Sequence, residues 1–230
     1  MKNLFILQLL FLVVLGSSSL WATSEDDLWN NLDEHQQALL HEGQQVLVVE
    51  EMSHYPWPYF HIYRLLPATP LQSASIFWDV EYAPHYIPNC LKVSINAHPA
   101  SYIMEITYEL KMPIFSKEIS TVRDEVQVVS HGGYKISWDI LSSKYSRSGR
   151  GSFLVVPHEG GALLCYSSFV HPGSSIASLL RKPAENRLQE TVTAIADQII
   201  KEVKECPEQL SKQEQELERS LDHLNSSGKN

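Results

Sequence analysis

Ser75-Ile76-Phe77-Trp78-Asp79-Val80-Glu81-Tyr82-Ala83-Pro84-His85-Tyr86-Ile87-Pro88 is the stretch on which the reading of this chain turns. An apolar helical turn ending at Trp78 runs into an acidic pair, Asp79 and Glu81. Pro84 and Pro88 then punctuate an aromatic segment, and an ordinary helix does not continue through such prolines. Residues 90–96 follow as a strand-like run. A short helix therefore stops, the chain turns over a group of aromatics, and a sheet begins.

Beyond this junction the pattern is two-fold. Tyr102, Met104, Ile106, Tyr108, Leu110 and Met112 alternate with Ile103, Glu105, Thr107, Glu109 and Lys111, which predicts a half-buried antiparallel strand. Residues 116–129 read as a weaker strand of mixed polarity. His131-Gly132-Gly133 marks a turn, after which Tyr134, Ile136, Trp138 and Ile140 share a face. Residues 145–149 read as a polar loop, and residues 151–156 and 162–170 as two further strands. The last strong element is a helix over 184–205, with Leu188, Val192, Ile195, Ile199 and Val203 on one stripe. Pro207 breaks it, and a charged segment with Leu210, Leu217, Leu221 and Leu224 follows.

Toward the N-terminus, residues 59–66 and 45–51 read as strands of an opening hairpin, separated by the turn signal Tyr55-Pro56-Trp57-Pro58. Residues 24–41 read as one short helix stopped by Gly43. The first 22 residues read as a cleaved export signal. Lys2 precedes an apolar run over 4–15, Gly16 and three serines break it, and the cut falls near Ala22. The expected location is therefore periplasmic or secreted.

The totals exclude some classes. A formal net charge of -9 over 230 residues disfavours nucleic-acid binding, and no run of four Lys/Arg occurs. Three cysteines, Cys90, Cys165 and Cys206, leave at least one thiol outside any pair within the chain. Cys165 lies in an apolar strand and reads as a small buried hydrophobe. Metal spacings such as HExxH, the GxSxG elbow and phosphate-binding glycine loops are absent from the sequence, so no cofactor is expected.

Strands, short helices, a run of antiparallel strands and one long helix make an α+β layout. A strongly twisted sheet of six or seven strands curls. The long helix can bury its stripe only against the concave apolar face. Where the two layers do not meet, a pocket remains. Its expected walls are Trp78, Met104, Ile106, Tyr108, Leu110, Ile136, Trp138 and Ile140, with Ile195 and Ile199 from the helix. A helix and sheet packed solid would show the same stripes, so a filled core stays open as an alternative.

The pieces also come in a familiar order. Leu39-Leu40-His41-Glu42-Gly43 leads into a strand, and the Trp78 segment follows a helix start at Pro70. Tyr108-Glu109-Leu110 precedes Met112-Pro113, Trp138 sits late in its strand, and Val170-His171-Pro172-Gly173 leads to the last helices. In this order, over residues 39–200, the chain resembles the START-like superfamily (polyketide cyclase, Coq10-type; SRPBCC, helix-grip). The resemblance implies a curved antiparallel sheet wrapped around a long C-terminal helix and an internal apolar cavity. With the segments read above, the chain divides into a leader over 1–22, an N-terminal helix over 23–43, a START-like domain over 44–206 and a charged tail over 207–230, part helical and disordered at its end.

What the resemblance implies for function is binding, and possible transfer, of a hydrophobic ligand such as a lipid or an isoprenoid or quinone, with transient membrane contact. Tyr82, His85, Tyr86 and His171 would stand at the pocket mouth, and residues 145–149 would gate it. The superfamily shares no catalytic residue set, so none carries over. A cyclase or hydrolase using the same cavity, and an interaction module with a filled core, remain as alternatives. On β-type alternation, either Arg123 or Asp124 would face inward, and the mixed strand does not say which.

Overall fold

The structure is a computed structural model that describes residues 25–112, 117–173 and 177–227. The export signal read over residues 1–22 lies outside the described residues, as do residues 228–230 of the tail. Ser226 and Ser227, also read as disordered, close the last helix.

Eight antiparallel strands form one sheet: β1 (Val46–Glu50), β2 (Tyr59–Leu66), β3 (Cys90–Ala100), β4 (Ile103–Leu110), β5 (Glu118–Val129), β6 (Gly133–Ser143), β7 (Ser146–His158) and β8 (Gly161–Pro172). Their order is β1-β2-β8-β7-β6-β5-β4-β3. The architecture is the expected α+β helix-grip, with eight strands in the sheet rather than six or seven. After β2 the chain leaves the sheet through α3 (Pro70–Trp78) and the 3-10 helix Val80–His85. It re-enters at the far edge as β3 and walks back by neighbouring strands until β8 closes on β2. The opening stretch of sequence is thus the one crossover that sets the topology.

Local chemistry explains the boundaries. Thr69 and Gln72 form a capping box at the start of α3, and Pro70 occupies the first turn, where its missing amide costs nothing. The N-terminal helix expected over 24–41 is two helices, α1 (Glu25–Asn30) and α2 (Glu34–His41). Asp33 parts them: its carboxylate accepts from the Gln36 amide at 2.8 Å, and the Gln36 side chain accepts from the Asp33 amide at 2.9 Å. That reciprocal box starts a new helix and stops the old one. Residues 146–149, expected in a gating loop, are instead paired with β8 through Ser146–Pro172, Ser148–His171 and Gly149–Val170. Ser146 and Arg147 at the rim of the cavity, with exposed Ser148, gave the loop-like composition.

Two cores result. On the outer face of β1, β2, β8 and β7, Leu28 of α1, Leu32 of the turn that follows it and Leu40 of α2 pack on Tyr63, Leu154, Val156, Leu163 and Cys165. Cys165 is buried there, burial pushes its thiol up, and all three cysteines are free. On the inner face, α3, α4 (Ala177–Glu205) and α5 (Pro207–Ser227) pack over Ile62, Ile106, Val126, Ile136 and Phe153. The segment read as a charged tail is α5, and its Leu210, Leu217 and Leu221 are buried in this same core. Gln213 of α5 donates to Asp79 at 2.9 Å, so the carboxylate that ends α3 also fastens the last helix.

Candidate ligand cavity

The concave face and α4 part to leave a partly open cavity of about 1110 Å³. Alternation decides the walls. Tyr108 and Leu110 of β4, Trp138 and Ile140 of β6, and Tyr166 and Val170 of β8 point in from the sheet. Phe77 of α3, and Val80, Ala83 and Tyr86 around the 3-10 helix, close one side. Leu180, Leu188 and Ile195 of α4 form the roof. Phe77 stacks on the buried Phe153 with ring centroids 4.3 Å apart, which holds that wall rigid.

β7 makes the depth. A Cβ on Gly149 would stand 2.6 Å from Ile140 Cδ1, and one on Gly151 would stand 2.4 Å from Trp138 Cζ2. The two missing side chains on the inner face of β7 let Ile140 and Trp138 lie across it.

Of the residues expected at the site, Tyr108, Leu110, Trp138, Ile140, Ile195 and Tyr86 line the cavity. Trp78, Met104, Ile106, Ile136 and Ile199 share the inner face but belong to the packed core beside it. Side-chain period places them on the correct face, and only the divergence of helix from sheet decides where the face is covered. Tyr82 and His85 stack on each other at 4.3 Å, with His85 Nδ1 3.1 Å from the Tyr82 carbonyl, away from the lining. His171 packs edge-on against Tyr55 at 5.2 Å. Tyr86 is the member of that mouth group that reaches the cavity, and burial pushes its phenol up.

Mixed polarity on β5 concealed the most chemical part of the wall. Glu118, Ser120, Val122 and Asp124 share the inner parity and all line the cavity. Asp124, not Arg123, faces in. Arg123 points outward and pairs with Glu105 at 2.6 Å. Asp124 is 5% exposed, and its Oδ1 has no hydrogen-bond partner. Burial alone pushes its carboxyl up to about 7, with no cation drawing it back. Its charge in turn helps hold the phenols of Tyr108 and Tyr166 up, second to their own burial for both. Glu118, at the other end of this row, is tied down. Its Oε1 accepts from Ser120 Oγ at 2.9 Å, Ser143 Oγ at 2.7 Å and the Lys144 amide at 3.1 Å. Ser143 Oγ accepts from the Ser146 amide at 2.8 Å. The β6–β7 turn is thereby pinned to β5.

Lys144 of that turn and Arg147 at the start of β7, with Lys182 and Arg187 of α4, also line the space. Arg187 donates to the Lys111 carbonyl at 3.1 Å, clasping α4 to the end of β4. Four cations lie together here in a chain of net charge -9. Among the described residues no group of three or more His, Cys, Asp or Glu could hold a metal, and no helix is long and apolar enough to cross a membrane.

No family model and no curated protein matches the chain. Solved structures do. The STAR-related lipid transfer protein of Xanthomonas axonopodis superposes with a TM-score of 0.62 at 14% identity, covering 69% of this chain and 94% of that one. The ZhuI aromatase/cyclase of Streptomyces sp. R1128 gives 0.53 at 10% identity, covering 63% and 94%. Human STARD10 gives 0.54 at 11% identity, covering 77% and 85%. At such identities the likeness is one of fold, and the fold is the START-like helix-grip.

Proposed function

We propose that this chain binds a hydrophobic ligand, a lipid or an isoprenoid or quinone, in the cavity beneath α4, and carries it without chemistry. The observation that carries the reading is a partly open cavity of about 1110 Å³, walled chiefly by aromatic and aliphatic side chains with polar groups among them. Such a space suits a ligand that leaves water for an apolar wall. The fold shared with a lipid transfer protein supports the same reading. Lys144, Arg147, Lys182 and Arg187 support transient contact with an anionic membrane surface during loading. The leader-like first 22 residues support export to a periplasm or the cell exterior. Native mass spectrometry of the chain from Thr23, purified without detergent, tests the reading. An added mass that extracts into organic solvent is expected. A bare mass, with no uptake from a total lipid extract, overturns it.

One observation favours a second reading. A carboxyl titrating near 7 inside an apolar cavity is poised for proton transfer. A cyclase or hydrolase in this cavity would use Asp124 rather than His85 or His171, which lie off its walls. Turnover of a candidate substrate that vanishes in Asp124→Asn while binding persists would establish it. The interaction-module alternative required a filled core, and the space under α4 gives that reading no support.

A further inference from the structure

A carboxylate deep in a ligand space is expensive unless something answers it. Asp124 lies six residues along β5 from Glu118, about 20 Å at the rise of a strand. Its cross-strand neighbours are Met104 on one side and Trp138 on the other. The next inward position on β5, Val126, belongs to the closed core, as does its partner Ile136. Asp124 therefore stands where the lined space meets packed side chains. No protein group answers its Oδ1. An unpartnered buried acceptor costs roughly 1–3 kcal/mol, and more when charged. Tyr108 and Tyr166 line the same cavity, and burial keeps their phenols protonated, so the lining also carries hydroxyl donors.

We propose that Asp124 is a hydrogen-bond seat for the leading end of the ligand, and that this end carries a donor, a hydroxyl or an amine. The inference rests on the cavity being a ligand site. An ionised carboxylate only accepts, so it selects a group with an N–H or O–H to give. A hydroxyl can also accept from a phenol. A carbonyl or an ether offers Asp124 nothing in that state. The seat thus narrows the ligand class from any greasy molecule to an apolar alcohol or amine that enters polar end first.

The test compares decan-1-ol, 1-methoxydecane and decylamine, read by tryptophan fluorescence, since Trp138 lies on the cavity wall beside Asp124. At about pH 9, where a carboxyl titrating near 7 is ionised, wild type should bind the alcohol about 10-fold more tightly than the ether, the size of one hydrogen bond to a charged group. Asp124→Leu should bring the two to within about two-fold while ether binding holds, which also shows that the variant folds. Should that variant not fold, Asp124→Asn keeps the shape and should narrow the gap by about three-fold. Equal binding of alcohol and ether to wild type, or a gap that survives either substitution, overturns the seat and leaves the cavity reading intact. Failure of all three probes to bind removes both. A preference for decylamine over the alcohol, or the reverse, supports the seat and says which donor it takes.

Discussion

Trp138 lies across Gly151, and the fit leaves no room for a methyl group. A Cβ at position 151 would stand 2.4 Å from Trp138 Cζ2 and 2.2 Å from the Ser167 carbonyl oxygen. Gly151 pairs with Trp138 on one side and with Ser168 on the other, so the clash falls where three strands meet. Gly151→Ala should therefore cost about 1–3 kcal/mol through forced side-chain and backbone shifts. For a domain of this size that is a loss of about 2–4 °C in Tm per kcal/mol. Thermal unfolding measures it. An unchanged Tm would mean that the strand and the ring move apart freely, and the cavity wall is softer than its packing implies.

The last helix gives a second expectation. Leu217 is fully buried in the main core, and Leu210 and Leu221 lie on the same stripe. Leu217→Ala should cost about 2–5 kcal/mol, since the methyl groups lost leave a cavity under α3 and β5. Glu216→Ala, one residue away and exposed, should stay within about 0.5 kcal/mol. Urea unfolding separates the two. Equal effects would return α5 to the status of an appended tail.

These contrasts show what the chain's pattern reveals. Two-fold alternation identified β4 and β6, and the four-three-four-four stripe identified α4, because each faces a continuous apolar layer. β5 was harder for a physical reason. Its inward parity carries Glu118, Ser120 and Asp124, so hydrophobicity could not say which of Arg123 and Asp124 points in. The strand broke its own pattern where it lines the cavity, which is where functional groups belong. α5 was obscured by charge. Its leucines are few, and only the long-range packing against α3 shows that they belong to the core. The extent of the cavity was not legible, because Ile106 and Ile140 carry the same signal and only one of them borders empty space.

Ligand binding should follow that division between lining and surroundings. Ile140→Glu places a carboxylate on the cavity wall and should abolish uptake of an apolar probe, because burying the charge beside a greasy ligand has no partner to offset it. His85→Ala should leave probe affinity within about two-fold, since that ring stacks on Tyr82 and meets its carbonyl at the surface, off the cavity wall. Fluorescence titration of both variants, with circular dichroism to check folding, is the measurement. Loss of binding in the histidine variant alone would move the site to the 3-10 helix.

Asp124 makes stability depend on pH with a definite sign. Its carboxyl titrates near 7 in the folded chain, because burial disfavours the charged form. In the unfolded chain an aspartate titrates near 3.9. Between these values the folded state holds the proton and the unfolded state does not. Stability then falls as pH rises through this window and levels off above about 7. The difference between about 7 and 3.9 corresponds to about 4 kcal/mol, an upper bound because water entering the cavity would relieve part of the burial. Asp124→Asn has no proton to lose there. The wild-type Tm should fall relative to that of the variant as pH is raised from about 4 to 8, with other titrating groups, including the histidines, cancelling in the difference. A constant Tm difference across that range would mean that the carboxyl is solvated after all, and the cavity open to water at its inner end.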